Sequence, residues 1–213
     1  MREYILLLPI IFIFHDMEEI VGFEWFFRRN YDLFDWFPRA LKVYRNLKTE
    51  CFAAAVYEEF IPFFGVSLLA YFFPNKLLIS IWYGLFLALT GHFIVHIGQT
   101  IYLKKYIPCF ATSLICLSVS VNILLRCTRI MTFDVSSILI IIVSILLMVV
   151  NLRLAHILAQ FLNTKIIQAV WEICGGDHFF NLNEIEMAHC SGSMVFKAPF
   201  NAVDYEYENG KIY

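Results

Sequence analysis

The stretch Tyr4-Ile-Leu-Leu-Leu-Pro-Ile-Ile-Phe-Ile-Phe-His-Asp-Met-Glu-Glu-Ile-Val-Gly-Phe-Glu-Trp-Phe-Phe27 combines an apolar run with a group of ionisable residues near its middle. As a helix, this run is long enough to cross a hydrocarbon core of about 30 Å. The ionisable residues are His15, Asp16, Glu18 and Glu19. Each ionised group near a bilayer centre costs about 2.5–3.5 kcal/mol on insertion scales, so such groups usually mark a functional site. The stretch therefore predicts a membrane helix that carries a polar site.

The composition of the whole chain also predicts an integral membrane protein. Hydrophobic residues occupy 60% of the 213 positions and charged residues only 16%, and the mean hydropathy is +0.69. The expected fold class is all-α, an integral membrane bundle of about five transmembrane helices with a short polar C-terminal tail. The predicted spans within a transmembrane domain of residues 1–159 are about 4–27, 51–73, 77–103, 107–125 and 136–159.

Two shorter segments follow the predicted spans. Residues 160–176 read as an amphipathic helix that the glycines at 175 and 176 would close. Residues 177–213 form a polar tail, in which Asn209-Gly210 is a signal for a short β-hairpin. This tail is too short for an independent enzyme domain, so any chemistry is expected in the spans.

The basic residues predict the orientation in a cell membrane. With the N-terminus outside and the C-terminus cytoplasmic, 12 Lys and Arg residues lie inside and 4 outside, as the positive-inside rule requires. The net charge of −2 shows no excess of positive charge such as a nucleic-acid-binding protein would carry. The lipid bilayer is the expected partner, whereas nucleic acid is not; the sequence does not indicate the oligomeric state.

The cysteine residues suggest no site. There are six, and none forms a Cys-x-x-Cys pair: Cys51, Cys109, Cys116, Cys127, Cys174 and Cys190. Several lie in or beside predicted spans and two lie on the predicted cytoplasmic side, so all are interpreted as reduced structural thiols.

Seven ionisable residues share one depth in three predicted spans: His15, Glu18 and Glu19 in the first, Glu58 and Glu59 in the second, and His92 and His96 in the third. At a rise of 1.5 Å per residue, the six residues other than His15 lie about 10 to 17 Å above the predicted cytoplasmic boundary, and His15, one turn before Glu18 and Glu19, adds a third imidazole to this layer. The i, i+3 and i+4 spacings put His15, Glu18 and Glu19 on one face of the first helix, and the i, i+4 spacing does the same for His92 and His96 in the third. Asp16 points about 100° away from His15, which suggests a supporting role.

Carboxylates and imidazoles from antiparallel helices are the ligands that zinc, iron and manganese bind in helix bundles. All seven residues are therefore candidate ligands of a divalent metal ion. Glu19 and Glu59 are also the candidate catalytic carboxylates, as general bases for a metal-bound water. Two other interpretations stay open. The acids could be protonated and hold helices together by hydrogen bonds, or the layer could pass protons along a water-filled path.

Three sequence blocks resemble the HXXEE-motif family of small multi-pass membrane proteins over about residues 1–155: His15-Asp-Met-Glu-Glu19, Glu58-Glu59, and Gly91-His-Phe-Ile-Val-His-Ile-Gly-Gln-Thr-Ile-Tyr-Leu-Lys-Lys-Tyr-Ile-Pro108. In the third block, the positions that match the family pattern are His96, Gln99, Lys104 or Lys105, Tyr106 and Pro108. His92 stands where that pattern has Asn, which adds a candidate ligand, and Cys109 stands where it has Gly, which loosens the turn after Pro108. The resemblance implies a membrane location but no biochemical activity.

The sequence favours an intramembrane metal-dependent enzyme that acts on a lipid or another hydrophobic small molecule. The alternatives are a proton-coupled carrier or channel that uses the same His and Glu layer, and a non-catalytic accessory protein in which the layer only specifies helix packing. No nucleotide-binding motif narrows the reaction type.

Overall fold

The structure, a computed structural model, describes residues 1–39, 41, 44–45, 47–173, 207–208 and 211–212, and the side chains of those up to 165. The helices of this part of the chain are α1 (Arg2–Ile5), α2 (Leu7–Arg29), α3 (Leu33–Trp36), α4 (Thr49–Phe72), α5 (Lys76–Leu103), α6 (Phe110–Ile130) and α7 (Val135–Ile173). The strands are β1 (Tyr207–Glu208) and β2 (Lys211–Ile212). The chain divides into two units, Met1–Asn163 and Thr164–Tyr213.

Four helices of the described chain are long and apolar enough to cross a membrane: α4, α5, α6 and α7 as far as Lys165. They correspond to four of the five predicted spans and suit a lipid bilayer environment. The first predicted span corresponds to α2, which has 23 residues. Its length is sufficient, but its three central acidic residues separate it in composition from the other four. The all-α fold class is confirmed.

The helices of the first unit pack in a ring. α2 packs against α4 and α6, and α5 packs against the same two helices, so α2 and α5 face each other across the interior. Phe63, Phe86 and Phe93 are fully buried there. Trp82 is also fully buried, and its indole N–H donates to the Ile5 carbonyl at 2.9 Å. The ring therefore brings the polar residues of α2 and α5 toward one another.

A glycine lets α7 approach the ring closely. A Cβ atom at Gly84 of α5 would lie 2.8 Å from Ser144 Cβ and 2.9 Å from the Ile141 carbonyl oxygen. Small residues permit such close contact between apolar helices. Further along α7, the Asn151 amide donates to Glu58 of α4 at 3.3 Å.

The connection between α2 and α4, residues 30–48, is called the α3 loop below, and the inward-facing side chains named here are among its described residues. Leu33 and Phe34 of α3 are 1% and 3% exposed, and Leu47 is 4% exposed. Because these apolar side chains are removed from solvent, they fasten the loop to the end of the helix ring.

The turn between α5 and α6, residues 104–109, presses against α2. α5 ends at Lys104 with φ 51°, and Cys109 precedes α6 with φ 83°. Both values are in the left-handed region, which residues with a Cβ atom rarely adopt. Pro108 of this turn lies against Gly22 of α2. The turn thus places Cys109 beside the polar middle of α2.

The C-terminal part differs from the sequence prediction in one respect. α7 continues without a break to Ile173, so one helix occupies residues for which a span and a separate amphipathic helix were predicted. In the second unit, Tyr207 pairs with Ile212 and Glu208 with Lys211 in an antiparallel arrangement. This is the hairpin that Asn209-Gly210 predicts. The other residues from 174 onward, including the rest of the predicted tail, lie outside the described part.

Candidate metal centre

Three imidazole rings meet between α2 and α5. The ring of His15 lies 5.6 Å from that of His92 and 5.2 Å from that of His96, measured between centroids. His92 and His96 are one helical turn apart, and their ring centroids are separated by 4.3 Å. The sequence spacing within α5 and the facing positions of α2 and α5 together produce this arrangement.

Two nitrogen atoms of these rings have no hydrogen-bond partner among the residues that the structure describes. His15 is fully buried; its Nδ1 lies 3.2 Å from the Thr112 hydroxyl, while its Nε2 has no hydrogen bond. His96 is 6% exposed; its Nε2 lies 2.8 Å from His92 Nε2, while its Nδ1 has no hydrogen bond. Buried polar atoms are nearly always satisfied in folded proteins, so an exception calls for an explanation, such as an ion at the site.

Carboxylates and a thiol complete two overlapping groups of donor atoms, each with members within 4.8 Å of one another. The groups are His15, Glu19, His96 and Cys109, and His15, Asp16, Glu19 and His92. His15 and Glu19 belong to both. Imidazole nitrogen, carboxylate oxygen and thiolate sulphur are all ligands of zinc, so the residues present fit a divalent metal ion.

The two glutamates that follow His15 have different surroundings. Glu18 accepts hydrogen bonds from the Tyr106 hydroxyl at 2.5 Å and from the Thr112 backbone N–H at 2.8 Å. The first of these bonds raises the pKa of Tyr106 to about 12. Glu18 therefore fastens the α5–α6 turn, whereas Glu19, one residue on, belongs to both donor groups.

The predicted site residues divide into those that belong to a donor group and those that do not. His15, Glu19, His92 and His96 are brought together, but Glu18, Glu58 and Glu59 belong to neither group in the described part of the chain. The donor groups also contain Cys109, to which sequence reasoning assigned no role, and Asp16, to which it assigned a supporting role. The one sequence signal for Cys109 was its place after Pro108, where the resemblance led us to expect glycine.

The acidic residues beside the imidazoles have no Lys or Arg partner among the described side chains. Asp16 is 4% exposed, and its nearest basic atom is His15 Nε2 at 3.8 Å. Among the described side chains, no Lys or Arg forms an ion pair with Asp16, Glu19 or Glu59. Ionised acids in such a place need an opposite charge, and a bound divalent cation would supply it.

The family model for proteins of unknown function with an HXXEE motif matches residues 6–123 of this chain. That range covers more than half of the sequence and contains every member of the two donor groups. The chain belongs to the HXXEE family. A search of curated proteins and a search of solved structures each gave no significant match.

The residues of the HXXEE motif have two different structural roles in this chain. Its histidine, His15, and its second glutamate, Glu19, point into the donor groups, while its first glutamate, Glu18, holds the α5–α6 turn. The spacing of i, i+3 and i+4 places all three on one side of α2. Within that side, contacts with α5 and α6 decide which residue faces the centre.

A cavity of about 450 Å³ opens beside the HXXEE motif. Its polar end is formed by five side chains: Asp16, Glu19, Glu59, His92 and His96. Most of the rest of its wall is apolar, with Phe23, Phe52 and Leu152 among the side chains that line it. His15 and Cys109 are fully buried and do not line the cavity. The donor groups therefore have a closed side at His15 and Cys109 and an open side at the cavity.

The α3 loop covers part of this cavity. Leu33, Phe37, Leu41 and Tyr44 line the cavity from the loop. The Tyr44 hydroxyl lies 2.5 Å from His156 Nε2 of α7. At the other side of the loop, the Lys105 ammonium donates to both carboxylate oxygens of Asp32 at 2.8 Å. Two polar contacts thus hold the loop in place over a largely apolar space.

Proposed function

We propose that this protein is a membrane-embedded, metal-dependent enzyme that acts on a lipid or another hydrophobic small molecule. The observation that carries the proposal is the pair of unpartnered, buried nitrogens, His15 Nε2 and His96 Nδ1, beside Glu19. Helix bundles bind metal ions with inward-facing His and Glu side chains of this kind. The ion would be zinc, iron or manganese, because these metals share imidazole and carboxylate ligands.

The hydrogen bonds of the histidines support the assignment of metal-binding atoms. A metal-bound imidazole usually uses its second nitrogen for a hydrogen bond that fixes the ring. His15 has such a contact with Thr112, and His96 has one with His92. Each ring thus has one nitrogen held by a neighbour and one available for the ion. His92 would orient His96 in this arrangement.

The cavity supports a hydrophobic substrate. Ligand sites in proteins are typically clefts of about 300–1,000 Å³ with mainly apolar walls and a few polar groups, and the cavity of about 450 Å³ has this character. A substrate would place its polar group at Glu19 and His96 and its apolar part against Phe23 and Phe52. Glu59 lines the polar end from α4, and we assign it the role of general base for a metal-bound water.

Elemental analysis of the purified protein tests the metal site. Wild-type protein purified without chelators should contain about one equivalent of zinc, iron or manganese, since the donor sets share His15 and Glu19. Glu19→Gln should lower the metal content strongly because an amide cannot supply a carboxylate ligand. Glu18→Gln is the matched control and should keep the metal, because Glu18 contacts the α5–α6 turn instead.

Thermal unfolding gives a second readout on the same proteins. A chelator should lower the melting temperature of the wild type and of Glu18→Gln, but hardly that of Glu19→Gln, because only a bound ion stabilises the native state by mass action. Wild-type protein without metal, and without a thermal shift on addition of any of the three ions, would contradict the proposal.

One contact favours a second function, a proton-coupled carrier. His92 and His96 are in hydrogen-bond contact at 2.8 Å beside the carboxylates of the cavity, and neighbouring ionisable groups in membrane helices form proton relays. For a carrier, His96→Ala would abolish pH-dependent solute uptake into vesicles without any change in metal content. For the enzyme, the same substitution would lower the metal content.

A further inference from the structure

We propose that Cys109 is a thiolate ligand of the metal ion, and that this ligand makes zinc the ion of the site. The inference rests on the proposed metal-dependent function and adds to it a ligand, a metal and a class of chemistry. Cys109 is fully buried, and its sulphur is within 4.8 Å of donor atoms of His15, Glu19 and His96.

The unpartnered nitrogens distinguish between the two donor groups. Both of them, His15 Nε2 and His96 Nδ1, belong to members of the group that contains Cys109. In the other group, the histidine that replaces His96 is His92, whose Nε2 is in contact with His96 Nε2. Both histidines that carry an unpartnered nitrogen therefore belong to the group whose ion would also meet the sulphur of Cys109.

The backbone at Cys109 supports a specific role for its side chain. Its φ of 83° is in a region where a Cβ atom is crowded, and where glycine is the ordinary occupant. Residues held in such conformations cluster at ligand sites, where the surrounding structure fixes them. Here Pro108 lies against Gly22, and the Cys109 carbonyl accepts the Ser113 N–H at 2.8 Å in the first turn of α6. The turn holds the thiol toward α2 and α5.

The other described cysteines show that burial alone does not make a site. Cys51, Cys116 and Cys127 are also free and buried, but within the described side chains none of them belongs to a donor group. They fit the interpretation of structural thiols. Cys109 differs from them in its neighbours and in its backbone conformation.

A thiolate changes which metal the site prefers and what the metal can do. Soft sulphur ligands select zinc over hard cations, and manganese prefers oxygen ligands. Two imidazoles, one carboxylate and one thiolate are all ligand types of zinc, and the water or substrate of the proposed reaction would enter as a fifth ligand, a coordination number that catalytic zinc sites reach. Zinc has no redox chemistry of its own. With zinc bound, the proposed enzyme would carry out Lewis-acid or hydrolytic reactions.

Cobalt substitution tests for the metal–sulphur bond directly. Full-length protein, stripped of metal and reloaded with Co²⁺, should show the near-ultraviolet charge-transfer absorption that a thiolate–cobalt bond produces. Cys109→Ser should bind Co²⁺ without this band, and Cys116→Ala, the matched control, should keep it. Zinc affinity should fall roughly a hundredfold or more in Cys109→Ala, because loss of an outer-shell partner alone costs about 10- to 100-fold and Cys109 would contact the ion directly.

Cys109→Gly distinguishes the effect of losing the sulphur from the effect of relieving the strained backbone at residue 109. Like Cys109→Ala it removes the ligand, but it also relieves the positive φ. The metal-free glycine variant should therefore melt at a higher temperature than the metal-free alanine variant, while both lack the charge-transfer band. A purely structural thiol would leave zinc affinity unchanged in both variants.

The outcomes distinguish this inference from the function on which it rests. If wild-type protein binds Co²⁺ and Zn²⁺ but shows no thiolate band, Cys109 is not a ligand, and the metal site of the proposed function still stands. If the wild type binds neither these ions nor iron or manganese, both proposals fail. If the Cys109 variants do not fold, a variant in which the other five cysteines are replaced by alanine decides the point: a band that persists assigns Cys109 as the ligand, and a band that disappears overturns the inference.

Discussion

Gly22 of α2 lies against Pro108 of the α5–α6 turn so closely that a Cβ atom on Gly22 would be 2.7 Å from the proline Cβ. The contact lies about one helical turn after Glu18 and Glu19. It therefore sets the distance between the HXXEE motif and the turn that carries Tyr106 and Cys109. A side chain at this position of α2 would push the turn away from the motif.

Gly22→Ala should destabilise the protein, because the added methyl group meets a rigid proline ring instead of a flexible side chain. Overpacking of this kind costs about 1–3 kcal/mol, which exceeds the gain of about 0.5–1 kcal/mol that alanine usually brings inside a helix. The free energy of unfolding in detergent measures the effect. Gly65→Ala is the control, since a Cβ there meets nothing within 4 Å; it should be neutral or stabilising. An equal gain in both variants would refute the close contact.

The sequence predicted much of the fold because hydropathy and helical spacing are local properties. Four predicted spans correspond to α4, α5, α6 and α7, and the shared depth of His15, His92 and His96 reflects rings that do meet. The structure continues α7 to Ile173, whereas the sequence prediction divided this region into an apolar span, 136–159, and an amphipathic helix, 160–176. No glycine or proline lies between Ala159 and Ile173, so nothing in the chain interrupts the helix there.

The finer assignments within the site depend on contacts that no local pattern contains. Glu18 and Glu19 both lie near the His15 face of α2, and spacing alone does not separate them. Their difference arises because Tyr106 and Thr112, some ninety residues later, donate to Glu18. The place of Cys109 depends likewise on a turn whose backbone conformation is set by its packing against α2.

Tyr44→Phe should loosen the α3 loop by removing its hydrogen bond to His156. A hydrogen bond of this kind contributes about 0.5–1.5 kcal/mol, so transient opening of the loop should become about 2- to 12-fold more frequent. Limited trypsin digestion at Arg45, which follows Tyr44 directly, measures this opening as a rate of cleavage. The expected result is faster cleavage of the variant with unchanged cleavage elsewhere.

Tyr31→Phe is the control for the loop experiment. Tyr31 is in the same loop and packs against Phe34, but its hydroxyl makes no hydrogen bond to the described residues. Its loss should leave the rate at Arg45 unchanged. Equal acceleration in both variants would mean that the loop responds to the loss of any tyrosine hydroxyl and that the contact with His156 does not hold it.

Asp134 should make stability depend on pH through its contacts at the start of α7. Its hydrogen bonds with the Lys76 ammonium and with Ser137 hold the pKa of its carboxyl well below the usual range. A carboxylate with a lowered pKa stabilises the folded state above its unfolded pKa of about 4, and this stabilisation is lost as the pH falls through the folded value. Asp134→Asn should therefore lower the melting temperature at pH 7, and the difference from wild type should shrink below about pH 4.

The Lys76→Met variant distinguishes the contribution of the ion pair to stability from that of the helix cap, since Asp134 takes part in both. It removes the ammonium but leaves the hydrogen bonds from the Ser137 N–H and hydroxyl to Asp134. Its effect at pH 7 should be smaller than that of Asp134→Asn and should disappear at high salt, because the pair is exposed and screened. A difference between Asp134→Asn and wild type that stays constant from pH 7 to pH 3 would contradict this prediction.

Reporter fusions should show whether α2 crosses the membrane, a point on which length and composition disagree. If α4 to α7 all cross, the α3 loop and the C-terminus lie on one side, which the 12-to-4 distribution of basic residues makes cytoplasmic. A reporter after Tyr213 should then be cytoplasmic, and one inserted between Phe73 and Pro74 external. That insertion leaves intact the cap in which Asn75 accepts the Leu78 N–H.

A reporter placed before Met1 shows whether α2 crosses the membrane. It should be external, because a helix of 23 residues that crosses the membrane places the N-terminus opposite the α3 loop. The acidic residues of α2 oppose such a crossing unless their charge is offset, and the proposed metal ion supplies that compensation. Glu19→Gln should leave the N-terminal reporter outside, since it removes a charge along with the ligand. A cytoplasmic N-terminus in the wild type would show that α2 does not cross, and that the centre is reached from the cytoplasmic surface.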